Sequence, residues 1–169
     1  MSMRDGRLRL VKVLYRGPRS EVMEVERDGE RLALKVVFAE DRELFERFER
    51  EVRALGSVDH PNVVRLLEHG SYRGGLGWLL MPLLRGTTLR MRLVERKRPG
   101  VARTCRLFSQ FARGLGAPHA AGLVHRDEQP RNLVVGSERE GRARGIVLDL
   151  GRTLHREHGS ASTGSHLAG

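Results

Sequence analysis

The chain has 169 residues, 39% of them hydrophobic, and its 31 Lys and Arg against 21 Asp and Glu leave a formal charge of +10. That is the composition of a soluble globular protein of one domain, or of two lobes with the second one small. No apolar run approaches the roughly 18 residues needed to span a bilayer, and the opening MSMRDGRLRL lacks a secretory apolar stretch, so the expected compartment is the cytoplasm. Cys105 stands alone, which excludes an intramolecular disulfide framework and a Cys-based metal site.

From Leu8 to Phe38 short apolar or alternating runs are broken by turn residues: LRLVKVLY, SEVMEV and RLALKVVF. Three strands in an antiparallel meander follow, the second break carrying the Asp28-Gly29 pair of a tight hairpin turn. From Asp41 to Leu55 the period changes, with Leu44, Phe45, Phe48, Val52 and Leu55 on one helical face. Glu43, Glu46 and Glu49 each precede an Arg by four residues, the favourable order for ion pairs. Glu51 lacks such a forward partner and lies beside the apolar stripe, so a cation from elsewhere is expected to meet it.

VVRLLEHG and LGWLLMPLL then predict two more strands around a glycine-rich turn, completing a five-stranded sheet. Between Arg85 and Arg106 there are eight basic residues and one acidic one, Glu95, which reads as an exposed short helix and loop. No aromatic side chain is interleaved with these charges, so a solvated surface is expected and nucleic acid is not. Leu107, Phe108, Phe111 and Leu115 recur at helical spacing, weakened by Gly114, Gly116 and Pro118. LVHRDEQPRNLVV and GIVLDLG follow as a loop and short strands, and the Gly-, Ser- and His-rich stretch after Gly151 has almost nothing to bury.

Of the basic residues only Lys12, Lys35 and Lys97 are Lys; the other 28 are Arg. Lys35 is the one charge in an apolar strand and shares a face with Ala33 and Val37, so its ammonium needs a counter-charge or an anionic ligand. An edge-strand Lys reaching to solvent is the plain reading of that residue alone. Against the Arg bias, a retained Lys points to a charge directed at a phosphate, with Glu51 as its natural partner. Downstream, His125-Arg126-Asp127, Asn132 and Asp149-Leu150-Gly151 place two Asp and one Asn in loops at strand ends, where they could hold a divalent cation and orient a hydroxyl nucleophile.

In order, LALKVV, FEREVRAL, HPNVVRLLEHG, WLLMPLLRGTTL, HAAGLVHRDEQPRNLVV and IVLDLG resemble the signature set of protein kinases, and the wording is similar to the bacterial relatives of eukaryotic Ser/Thr kinases. The resemblance runs from about Leu10 to Gly151. It implies an α+β, two-lobed kinase-like fold: a small lobe over 8–84 with a five-stranded antiparallel sheet and one helix, part of a mainly helical large lobe over 85–154, and an activation-segment-like tail over 155–169. It further implies transfer of the ATP γ-phosphate to protein Ser or Thr hydroxyls with Mg²⁺. An ATP-binding pseudokinase or regulatory module is the alternative.

Carried over by position, the resemblance makes Lys35 the phosphate contact paired with Glu51, Asp127 the catalytic base, and Asn132 and Asp149 the metal ligands. Leu14, Gly17, Val22, Ala33, Met81, Pro82, Leu84 and Val134 would surround the nucleotide, and Leu55, Leu66, His125 and Leu150 match the family's stacked apolar spine. Several positions depart from the pattern. The phosphate-covering loop LYRGPRSEV keeps only Gly17, with Tyr15 and Ser20 at the other glycine positions, and Gln129 stands where the family has a Lys. Pro118 is expected to interrupt the helix before the catalytic loop. No APE motif follows Gly151, so the expected chain is truncated, and an apolar side of the Arg103–Ala120 helix is either covered by a partner chain or left bare in a relic of the fold.

Overall fold

The computed structural model describes residues 7–72, 75–95, 99–120, 123–124, 129–136, 143–148 and 154–155. Strands β1 (Arg9–Arg16), β2 (Ser20–Arg27) and β3 (Glu30–Phe38) form the expected meander. Asp28 and Gly29 both take positive φ, 51° and 80°, the mirror-image turn whose twist matches that of the flanking strands. Helix α1 (Arg42–Gly56) follows, started by the Asp41 carboxylate, which accepts a hydrogen bond from the Leu44 N–H at 2.8 Å.

The fourth strand differs from expectation. The sequence run beginning at Val63 predicts a strand there, but β4 is Glu68–Tyr72, and Val63 and Val64 do other work. The Val64 N–H donates to the Val147 carbonyl and the Val147 N–H to the Asn62 carbonyl, each at 2.8 Å. This segment therefore runs alongside a strand of the second sheet, and its apolar character reflects burial there. With β5 (Leu76–Pro82) the first sheet has the order β1-β2-β3-β5-β4, antiparallel throughout.

Beyond the sheet come β6 (Gly86–Thr88), α2 (Leu89–Val94), α3 (Val101–Ala120), β7 (Leu123–Val124), β8 (Leu133–Gly136), β9 (Gly145–Val147) and β10 (Leu154–His155). Strands β6, β8 and β9 make a small antiparallel sheet, and β10 pairs with β7. Leu154 and His155 thus belong to a strand pair, although the sequence predicted little structure after Gly151. Helix α3 is also continuous through Pro118, contrary to the expected interruption. Pro118 lacks an N–H to give to the carbonyl of residue 114, but its ring is fully buried and the residue four back is a glycine. Packing outweighs the missing hydrogen bond.

Two apolar clusters lie on opposite faces of the first sheet, as the period-2 alternation of strands requires. Val25, Leu32, Trp78 and Leu80 form the outer one. The inner one runs without a break from Phe48, Ala54 and Leu55 of α1, through Leu79 and Met81 of β5, to Leu107 and Phe111 of α3 and Leu133, Val135 and Val147 of the second sheet. Leu66 packs at its margin. Phe108, expected on the buried face of α3, is 53% exposed and makes an edge contact with the buried Phe111 ring.

Close approach of main chain fixes how the parts meet. A Cβ at Gly77 would come within 2.7 Å of the Phe48 ring, so the bare glycine lets α1 settle onto β5. A Cβ at Gly114 would lie 2.5 Å from the Asn62 carbonyl, so α3 meets the segment after α1 backbone to backbone. The Asn62 amide donates to the Gly145 carbonyl at 2.7 Å, and Gln110 from α3 accepts the Gly145 N–H at 2.9 Å. This buried network fastens the first sheet's connection to the second sheet.

Candidate active site

Lys35 sits in the middle of β3, with Val22 of β2 opposite on one side and Leu79 of β5 on the other. Directly opposed residues share a face, so Val22, Lys35 and Leu79 all project toward α1 and the second sheet. Glu51 lies three residues after Phe48 and four before Leu55 on α1, both of which are buried, and helical geometry therefore turns it toward the sheet. Its Oε1 accepts a hydrogen bond from Lys35 Nζ at 2.6 Å, with the two side chains 7% and 16% exposed.

The outward glutamates behave differently. Glu43 pairs with Arg47 and Glu49 with Arg53 as their spacing predicts, but Glu46 reaches back to Arg42 at 2.8 Å instead of forward to Arg50. These pairs are solvated and each is worth little. Burial is what sets the Glu51 pair apart.

Next to Lys35 on the same face, Ala33 lies opposite Met81, and Met81 is buried. Pro82 closes β5 opposite Leu32, where a residue without an N–H is tolerated at a strand end. Leu84 packs half-buried against the main core. From the second sheet, Leu133 and Val135 point into that core, while Val134, 6% exposed, lies on the other face of β8. Leu14 occupies a bulge between Val13 and Tyr15 in β1 and is 45% exposed. Toward the open end of this face, a hydrogen bond from Arg9, with Arg31 alongside, holds the Glu26 carboxyl below the usual carboxylate range.

Asn132 ends a single 3₁₀ turn over Pro130–Asn132 and is 8% exposed. Its N–H donates to the Gln129 carbonyl, and its own carbonyl accepts the Leu148 N–H, both at 2.8 Å. The residue directly before Asp149 is thereby tied to Asn132. Asp127, Asp149, His125 and Leu150 lie outside the described residues.

The hairpin joining β1 to β2 carries Gly17, whose N–H donates to the Ser20 carbonyl at 2.9 Å. Arg16 is engaged by Glu21, at 2.7 Å through Nε. A separate groove of about 670 Å³ between α1 and β4 is lined by Phe45, Phe48, Val52, Leu67, Tyr72 and Trp78 and includes neither Lys35 and Glu51 nor Val22, Ala33 and Met81.

The structure thus brings together Lys35 and Glu51, and sets Ala33 against Met81. The sequence reading passed over Leu148, whose only signal was its place between an apolar strand and Asp149. It also passed over Gln110, a polar residue on the buried side of α3 with no periodic signature.

The chain matches the family model described as the protein kinase domain over residues 8–163. It is 33% identical over 168 residues to the serine/threonine-protein kinase pkn2 of Myxococcus xanthus, covering 96% of this chain and 20% of that protein. It is also 33% identical over 140 residues to PknA of Mycobacterium tuberculosis, covering 78% and 32%. To PkaB of Streptomyces coelicolor it is 37% identical over 127 residues, covering 73% and 30%. All three are named serine/threonine-protein kinases, and the chain spans less than a third of the length of each.

Proposed function

The chain belongs to the protein kinase family, and from that premise we propose that it binds ATP with Mg²⁺ and transfers the γ-phosphate to Ser or Thr hydroxyls of a protein substrate. The observation that carries this reading is the buried Lys35–Glu51 ion pair at 2.6 Å. An ammonium held against a carboxylate inside an otherwise apolar strand places a positive charge on the sheet face it shares with Val22, Ala33 and Leu79. That arrangement suits an anionic group whose remaining body is flat and apolar.

The residues present fit such a ligand. Val22, Ala33, Met81 and Val134 offer apolar contacts for a purine ring, and the main chain at Pro82 and Leu84 would meet its edge. Lys35 would hold the phosphates, with Glu51 fixing the direction of the ammonium. Asn132 offers an amide oxygen to a hard cation, which Asp149 would complete with a carboxylate. When bound, ATP supplies the phosphoryl group and Mg²⁺ offsets its charge. Asp127 would accept the proton of the substrate hydroxyl as the general base. Gln129 would give a hydrogen bond without a charge at the position where the family pattern has a Lys.

The test is phosphate transfer by the purified chain with Mg²⁺ and labelled ATP, measured as turnover and as autophosphorylation. Transfer that Lys35→Met and Asp127→Asn both abolish is the expected outcome. Binding of the nucleotide with Mg²⁺ but no transfer would replace the reading with a pseudokinase. Failure to bind nucleotide would remove both.

A further inference from the structure

Tyr15 has no part in the proposed function, yet it lies on the same sheet face as Lys35. Strand register pairs Tyr15 with Val22, and Val22 with Lys35, so the three side chains share the cleft face of the sheet. Arg16 and Glu21, the next pair outward, project to the opposite face and bind one another. At the hairpin tip the Tyr15 ring lies against Gly17: a Cβ placed on Gly17 would be 2.4 Å from the Tyr15 hydroxyl and 2.9 Å from two ring carbons. Glycine is therefore needed at residue 17 to seat the ring.

The same hairpin is poor in main-chain donors. The Gly17 N–H is spent on the Ser20 carbonyl at 2.9 Å, and Pro18 has no N–H. The Tyr15 hydroxyl makes no hydrogen bond to any described residue and the side chain is 52% exposed. A phenol O–H is a good donor to an anionic oxygen, and such charge-assisted bonds are about twice as strong as neutral ones.

We propose that Tyr15 is a nucleotide contact whose hydroxyl donates a hydrogen bond to the terminal phosphate of a nucleoside triphosphate in the cleft, adding a donor where the Gly17 N–H is engaged and Pro18 has none. This rests on the nucleotide-binding reading and adds a specificity-determining residue to it.

The experiment is calorimetric titration of the full chain with MgATP and, separately, with adenosine. Tyr15→Phe removes the donor alone, at a half-exposed position where folding is not at risk. It is expected to weaken MgATP binding roughly tenfold while adenosine binding stays within about twofold. Gly17→Ala, which displaces the ring, is expected to weaken MgATP similarly, and the double variant to be no worse than either single one. Unchanged MgATP affinity in Tyr15→Phe, or equal losses for both ligands, overturns the assignment and leaves the nucleotide reading intact. If the unaltered chain binds neither ligand, the reading itself fails and the role of Tyr15 falls with it.

Discussion

Lys35 and Glu51 show how much a single contact can demand of its surroundings. Each charge is taken out of water, and their attraction offsets part of that cost. Replacing Glu51 by Gln leaves a buried ammonium with a neutral neighbour, and is expected to destabilise the fold by about 3 kcal/mol in urea denaturation. Lys35→Met removes the ammonium from the more deeply buried Glu51 carboxylate and is expected to cost a similar amount. The double variant is expected to be more stable than the sum of the two losses implies, with a coupling of about 1–3 kcal/mol in a double-mutant cycle. Additive losses would show that the two groups do not depend on each other. The pairing of the strand Lys with the helix Glu was legible in the sequence, because both residues broke the local pattern of their own element. The reversal of Glu46 toward Arg42 was not, since two solvated partners at equal spacing differ by only a few tenths of a kcal/mol.

Among the elements, α3 gives the clearest separation between intrinsic preference and packing. Gly114 and Gly116 are two residues apart in one helix, and by propensity each should gain about 1 kcal/mol on replacement by Ala. Their surroundings differ. A Cβ at Gly116 meets nothing within 4 Å, whereas one at Gly114 meets the Asn62 carbonyl at 2.5 Å and a Val147 methyl at 3.0 Å. Gly116→Ala is therefore expected to raise stability by about 0.5–1 kcal/mol. Gly114→Ala is expected to lower it by about 1–3 kcal/mol, because a main-chain neighbour cannot yield as a side chain can. Thermal unfolding of the two variants side by side checks the opposite signs. Read along the chain, both glycines and Pro118 looked like weak points of a helix; two of the three are contacts.

For the molecule as a whole, the unbroken inner core explains why the two sheets form one structure, and the second lobe's surface shows where that core stops. Val101 and Phe108 on α3, with Leu93 and Val94 on α2, are 81%, 53%, 60% and 75% exposed, while Phe111 one turn from Phe108 is buried. Truncating Phe111 to Ala should cost about 3–5 kcal/mol. Phe108→Ser should cost no more than about 1.5 kcal/mol, the worth of one edge-to-face ring contact. Denaturant midpoints of the two variants decide whether this face belongs to the core of the chain. Among the described residues no helix is long and apolar enough to cross a membrane.

The first three strands, helix α1 and the buried Lys35–Glu51 pair could be read from the chain because their signals are local: alternation, helical period, a turn pair, and single charges out of keeping with their neighbours. The place of Val63 and Val64, the continuity of α3 through Pro118, the Asn62–Gln110–Gly145 network and the seat of Tyr15 on Gly17 were decided elsewhere. Each depends on main chain meeting main chain, or a ring meeting a glycine, between residues that carry no periodic mark of one another. Apolar runs announce that a segment is buried, but they do not say against what; only the packed structure supplies the partner, and with it the separate roles of Gly114, Gly116 and Pro118 in α3.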